Sequence, residues 1–124
     1  MRIGIPKEKN EKETRVAVVP VSIPKLSKLG FEVIIEENAG KKSGYSNAEY
    51  EEKGAKISSK DDVMKSELIA SIEVPDFSSM KKGQMLACVA DPFRNLEQTK
   101  KIIDAGITLL SLEVSPRRLS KGQS

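Results

Sequence analysis

The strongest constraint on how this chain can fold is an alternation. Short apolar runs rich in β-branched residues recur along it, separated by segments that carry helix signals. RIGIP near the start, FEVIIEE from Phe31, AKIS from Ala55, ELIASIEVP from Glu67, QMLACVA from Gln84 and ITLLSLE from Ile107 read as strands. VAVV, from Val16, reads as a short continuation of the first strand. Helices are predicted over roughly Pro20 to Gly30, from a Ser46-x-x-Glu49 capping box to Gly54, in a turn opened by Ser59, and from an Asn95 cap to Gly106. Leu26 and Leu29 are expected to share one face of the first, and Leu96, Ile102 and Ile103 one face of the last. ELIASIEVP is apolar almost without interruption, the pattern of a strand covered on both faces. Strands parted by helices require crossover connections, and crossovers make neighbouring strands parallel. The predicted fold class is α/β, an open and mostly parallel sheet with flanking helices in a flavodoxin-like or Rossmann-like three-layer sandwich.

A length of 124 residues suits one domain around one core. The chain contains no histidine, which removes the commonest general base, the commonest zinc ligand and every Ser-His or Cys-His pairing. No metal site is therefore expected. The single cysteine, Cys88, lies within the apolar run MLACVA and reads as a buried structural thiol, with no disulfide framework open to it. Twenty-one basic and 18 acidic residues are dispersed without a cationic stripe, and only two tyrosines and three phenylalanines could stack on bases, so nucleic acid is not an expected partner. No apolar stretch approaches the length of a membrane span, and Pro6 with the charges after it breaks any signal-peptide pattern, so a soluble cytoplasmic protein is expected.

Chemistry concentrates in the charged loop that leaves the first strand and closes on Arg15. Loops at strand ends hold ligand contacts in α/β proteins, because the scaffold is rigid while the side chains stay wet. Arg15 is the residue there best able to grip a carboxylate or phosphate through its planar fork, although a solvated loop accounts for the charges equally well. Asp91 and Pro92 follow directly on a buried strand at the edge where parallel sheets bind ligands; a turn initiator explains the pair as well. No Gly-x-Gly-x-x-Gly or GxxxxGK[ST] loop follows any strand, so no self-contained dinucleotide site is legible. The carboxylates do not pair by spacing as acid and base.

Taken in order, MRIGIPKE, ETRVAVVP, LGFEVIIEENAG and GYSNAEYEEKGA resemble the N-terminal domain shared by alanine dehydrogenases and the alpha subunit of proton-translocating NAD(P) transhydrogenases. The resemblance spans essentially the whole chain. It implies an α/β domain packed beside a separate Rossmann domain that binds NAD(H), which accounts for the missing glycine fingerprint. It also implies a substrate arginine at Arg15. The lysine and histidine that hold pyruvate in the dehydrogenases correspond to Glu73, in ASIEVP, and Asp91, in GQMLACVADP. Those replacements leave Arg15, Glu73 and Asp91 as a pocket remnant, in which a keto acid meets acidic groups rather than cations. Pro92-Phe-Arg-Asn95 matches the Pro-x-x-Asn of the transhydrogenase branch.

The resemblance gives the tail a meaning as well. RLSKGQS matches a transhydrogenase loop that reaches the nicotinamide and its ribose, with Arg118 and Gln123 on the family's arginine and glutamine, and with Lys121 and Gly122 departing from it. Arg118 and Gln123 are the implied cofactor-binding and catalytic residues, acting by orientation rather than by acid–base chemistry. The expected organisation is an α/β domain over residues 1–114 and, from 115 to 124, the start of this nucleotide-contacting loop, cut short. The implied whole is a transhydrogenase component with NAD(H) bound by its own second domain and NADP(H) by a partner. Membrane and NADP(H)-binding components are the implied partners, with a homodimer in the complete protein, peripheral to the inner membrane. Two alternatives stay open: an alanine or saccharopine dehydrogenase-like enzyme with an altered pocket, and a non-catalytic α/β binding module.

Overall fold

The computed structural model describes residues 1–112. Its six strands are β1 (Arg2–Ile5), β2 (Glu32–Glu36), β3 (Lys56–Ser58), β4 (Leu68–Ser71), β5 (Met85–Cys88) and β6 (Thr108–Ser111). They form one sheet in the order β3-β2-β1-β4-β5-β6, with every neighbouring pair parallel. Four helices accompany them: α1 (Ile23–Lys28), α2 (Asn47–Glu52), α3 (Lys60–Val63) and α4 (Leu96–Asp104). The expected α/β class and parallel sheet are what the chain adopts.

The local signals explain the helix ends. Ser46 accepts the Glu49 N–H while Glu49 reaches back to the Ser46 N–H, which completes the capping box of α2. Ser59 and Asn95 cap α3 and α4 through the N–H groups of Asp62 and Gln98. Gly54 and Gly106 follow α2 and α4 at φ of 106° and 83°, a region that favours glycine.

Strand alternation sorts the core into two layers. Ile3, Ile5, Val33, Ile35 and Ala70 point to one face, where Ile23 of α1 and Tyr50 of α2 cover them. Ile69, Leu86, Cys88 and Leu109 point to the other, beneath Ile102 of α4 and Met64 at the end of α3. The Tyr50 hydroxyl donates to the Val18 carbonyl at 2.7 Å. Burial, with smaller contributions from Tyr45 and Glu49, pushes its phenol well above the usual range. Gly4 lies where α3 passes under β1: a side chain there would collide with the Val63 carbonyl and with Ser66 Oγ at 2.6 Å. Arg2 fastens the same crossing through Ser66 Oγ at 3.1 Å and the Asp62 carbonyl at 3.0 Å.

Three local expectations need correction. VAVV does not continue the first strand, which ends at Ile5. Val16 to Val19 instead pack against the first core layer as irregular chain. In α4 only Ile102 is buried, while Leu96 and Ile103 are 78% and 56% exposed. At 3.6 residues per turn Leu96 and Ile103 share a face with each other, roughly a quarter to a third of a turn away from Ile102. Leu29 lies just past the end of α1 and is exposed, so of the two leucines only Leu26 packs against the core, beside the buried Ile23. Among the described residues, no helix is long and apolar enough to cross a membrane.

Candidate functional site

β1 leads to β2 and β3 on one side of the sheet, whereas β4 opens the other half with β5 and β6. Chain direction therefore diverges between β1 and β4, and the loops that leave them frame a crevice outside the carboxyl ends of the strands. The loop from β1 carries Glu8, Asn10, Glu13 and Arg15; the turn from β4 carries Glu73; the turn from β5 carries Asp91.

Glu8 closes the gap between the first two. Its carboxylate accepts the Ile72 N–H at 2.9 Å and the Glu73 N–H at 3.1 Å. Burial raises its carboxyl above the usual range; the two backbone hydrogen bonds oppose that, and the charges of Glu13 and Glu73 add to it. Asn10 holds the Glu73 carboxylate with its side-chain amide, 3.3 Å from the nearer oxygen. Ser71 donates to the Glu73 carbonyl at 2.7 Å, which folds the turn on itself. β4 stops at Ser71, short of the apolar run that predicted it, and the next two N–H groups meet Glu8.

Arg15 lies beside this turn with its fork already engaged. Nε and Nη2 donate to the two oxygens of Glu13, each at 2.9 Å, and the Arg15 backbone N–H adds a third bond at 2.9 Å. The Arg15 side chain is exposed and that of Glu13 nearly covered. The side-chain bond to Arg15 holds the Glu13 carboxyl below the usual range, and Glu13 in turn raises Arg15, with Glu73 and Glu8 contributing at longer range. Arg15 and Glu13 border a small recess with Glu8, Lys7 and Lys42.

Glu73 and Asp91 do come together. They line one open cleft of about 350 Å³ with Lys9, Arg94 and Asn95. Asp91 is exposed and accepts the Phe93 N–H at 2.9 Å, the geometry of a turn initiator. Asn95, the last residue of the Pro-x-x-Asn pattern, spends its side-chain oxygen on capping α4. Arg15 is thus in a neighbouring recess rather than in the cleft shared by the two acids. Arg118 and Gln123 lie outside the described residues. Cys88 is buried against Ser71 Oγ at 3.4 Å, with its thiol pushed up by burial, as a structural cysteine should be.

Glu8, Glu13 and Asn10 escaped the sequence reading. Glu13 could have been suspected from its spacing of two residues to Arg15, but Glu8 and Asn10 meet partners 63 to 65 residues away. The arrangement does not suit the pyrophosphate of a dinucleotide. No glycine-rich turn follows β1, and the backbone donors at the exit of β4 meet a carboxylate of the same chain. A keto acid fits no better, since it would have to displace Glu13 from Arg15 and then face Glu73. Two charges about 4 Å apart repel by roughly 4 kcal/mol near a protein surface.

Residues 4–124 match the family model described as alanine dehydrogenase/PNT, N-terminal domain. The NAD(P) transhydrogenase subunit alpha of Haemophilus influenzae is 34% identical across 100% of this chain, which covers 25% of that protein. Alanine dehydrogenase 1 of Staphylococcus aureus is 33% identical over 91% of this chain and 31% of its own length. Among solved structures, the transhydrogenase from Sinorhizobium meliloti superposes with a TM-score of 0.85 at 32% identity, over 94% of this chain and 36% of that one. An L-alanine dehydrogenase superposes at 0.83 with 30% identity, over 90% of this chain and 32% of that one. The chain therefore spans a quarter to a third of the relatives it matches.

Proposed function

The chain belongs to the family of alanine dehydrogenase and PNT N-terminal domains, and from that premise we propose that it serves the transhydrogenase branch. In this reading it is the N-terminal domain of the NAD(H)-binding component of a proton-translocating NAD(P) transhydrogenase, which moves hydride between NAD(H) and NADP(H). Residues 1–114 make up the α/β domain, and 115–124 open the loop that carries Arg118 and Gln123. Those two side chains orient the nicotinamide through hydrogen bonds to its carboxamide or ribose, which positions the ring without moving a proton. NAD(H) is held by a second domain and NADP(H) by a partner, with the membrane component and a second copy of the subunit completing the assembly.

The observation that carries this reading is what occupies the positions where the dehydrogenases would hold a keto acid. Glu73 is tethered by Asn10 where the dehydrogenases would place a lysine, and Arg15 is already paired with Glu13. A domain that has lost keto-acid recognition while keeping the fold suits an enzyme whose only substrates are nucleotides. The test uses the protein that joins this domain to its nucleotide-binding domain, assayed with its membrane partners. Hydride transfer between NADH and an oxidised NADP analogue is expected, with no NAD-dependent oxidation of L-alanine. Saturable alanine oxidation refutes the reading and selects the alternative, an alanine or saccharopine dehydrogenase-like enzyme with an altered pocket, which the presence of Arg15 favours.

A further inference from the structure

In doubly wound sheets the crevice where strand order reverses takes a ligand, and backbone N–H groups at its rim recognise anions. In this chain the crevice between β1 and β4 is filled from within. The N–H groups of Ile72 and Glu73 meet the two oxygens of one carboxylate, Glu8 Oε2 at 2.9 Å and Oε1 at 3.1 Å. Each oxygen takes one donor, which is how a free carboxylate would bind the same pair.

We propose that Glu8 is a built-in anion occupying the switch-point anion site of this fold, where it closes the site to small free carboxylates. Three observations bear on this. The donors are aimed independently of Glu8, because the 71–73 turn is held by the Ser71 bond to the Glu73 carbonyl and by the pairing of β4 with β5 up to Ser71. The acceptor is partly buried, and burial raises its carboxyl, so the carboxylate bears a desolvation cost that the two N–H bonds offset. The β1 loop that supplies Glu8 also fills a second anion-recognition element, its Glu13 occupying the fork of Arg15. The paired amides at the β4 exit and the guanidinium fork of Arg15 are thus both occupied by acids of the β1 loop. The assignment holds whichever nucleotide reaction the parent enzyme performs.

Removing the carboxylate should uncover a working site. The test is amide NMR of the 15N-labelled chain, titrated with sodium formate against sodium chloride at equal ionic strength. In the wild type the Ile72 and Glu73 amides should respond to formate no more than to chloride. In Glu8→Ala both should exchange with solvent roughly tenfold faster or more, the consequence of losing charge-assisted hydrogen bonds. Formate should then shift the two signals together, saturably and with one dissociation constant, and should restore their protection. A folded Glu8→Ala chain whose two amides ignore formate overturns the proposal, as does wild-type binding of formate at those amides. Should Glu8→Ala fail to fold, Glu8→Gln keeps the volume and one acceptor oxygen. Loss of protection at one of the two amides then supports the proposal, and full protection at both refutes it.

Discussion

Replacing Gly4 with alanine should be among the most damaging single-methyl additions this fold can suffer. The new Cβ would lie 2.6 Å from Ser66 Oγ, 3.0 Å from Ser66 Cβ and closer still to the Val63 carbonyl oxygen. Ser66 could turn its hydroxyl away, but the carbonyl cannot yield. It belongs to the last turn of α3 and accepts the Ser66 N–H at 3.1 Å, and the Val63 side chain beside it is fully buried. Relief requires lifting α3 from the sheet. Overpacking of this kind costs about 1–3 kcal/mol, and the two Arg2 bonds to Ser66 and the Asp62 carbonyl add about 1 kcal/mol each if they are lost. Against that, alanine restricts the unfolded chain by about 0.4–1 kcal/mol. The net expectation is a loss of about 2–4 kcal/mol. With an m-value of about 1.5–2 kcal/mol/M for a domain of this size, the urea midpoint should fall by about 1–2.5 M, followed by circular dichroism. Adding Ser66→Gly removes the hydroxyl and Cβ contacts but leaves the carbonyl, so it should recover less than half of the loss. A Gly4→Ala midpoint within about 0.2 M of wild type, a tenth of that m-scale effect, would refute the reasoning, and full recovery in the double variant would show that the carbonyl is not the obstacle.

Other expectations concern the site. Calorimetric titration of the 124-residue chain with NADH should show no binding tighter than about 100 μM, roughly −5.5 kcal/mol, and tighter binding would argue that a pyrophosphate cradle exists here after all. Stability against pH should carry the marks of two opposed carboxyls. Glu8 titrates above the ordinary 4.5 in the folded state, so the native chain binds the extra proton and stability falls as pH rises from 4.5 toward the folded value. Glu13 is shifted downward, so its contribution is present above its ordinary value and is lost as pH falls through its folded one. Subtracting the Glu8→Gln profile from that of the wild type, by urea unfolding between acid and neutral pH, should isolate the first slope; identical profiles would deny that Glu8 is desolvated. In the protein that joins this domain to its nucleotide-binding domain, Gln123→Asn should keep NAD(H) affinity within about tenfold while slowing hydride transfer much more, by the reading of paired binding and rate changes. Equal losses in both would make Gln123 an anchor for the cofactor rather than an orienting group.

The elements of this fold were legible where their signals are local. The Ser46–Glu49 box, the Ser59 and Asn95 caps and the glycines after α2 and α4 act over three or four residues, so the sequence states them outright. The strands announced themselves by β-branched content, and their alternation with helices implied parallel pairing. Family membership was legible for the same reason, through short segments in a fixed order. VAVV misled because apolar content says that a segment is covered without saying that it joins a ladder, and here it covers the first core layer as irregular chain. Leu96 and Ile103 misled because their own shared face is not the face on which Ile102 is buried.

Within the site, the sequence by itself placed Arg15 in the loop that leaves the first strand and Asp91 directly after a buried one, while Glu73 fell inside the run ELIASIEVP and was singled out through the family resemblance. That Glu73 and Asp91 share a cleft while Arg15 turns aside to Glu13 depended on tertiary structure. So did the seat of Glu8 on the Ile72 and Glu73 amides, 64 and 65 residues further along. Those partners were selected by the strand order that sets β4 against β1, with β2 on the other side. That order is decided by which arrangement buries both faces of the sheet at once, a property of the assembled chain that no window of neighbouring residues contains.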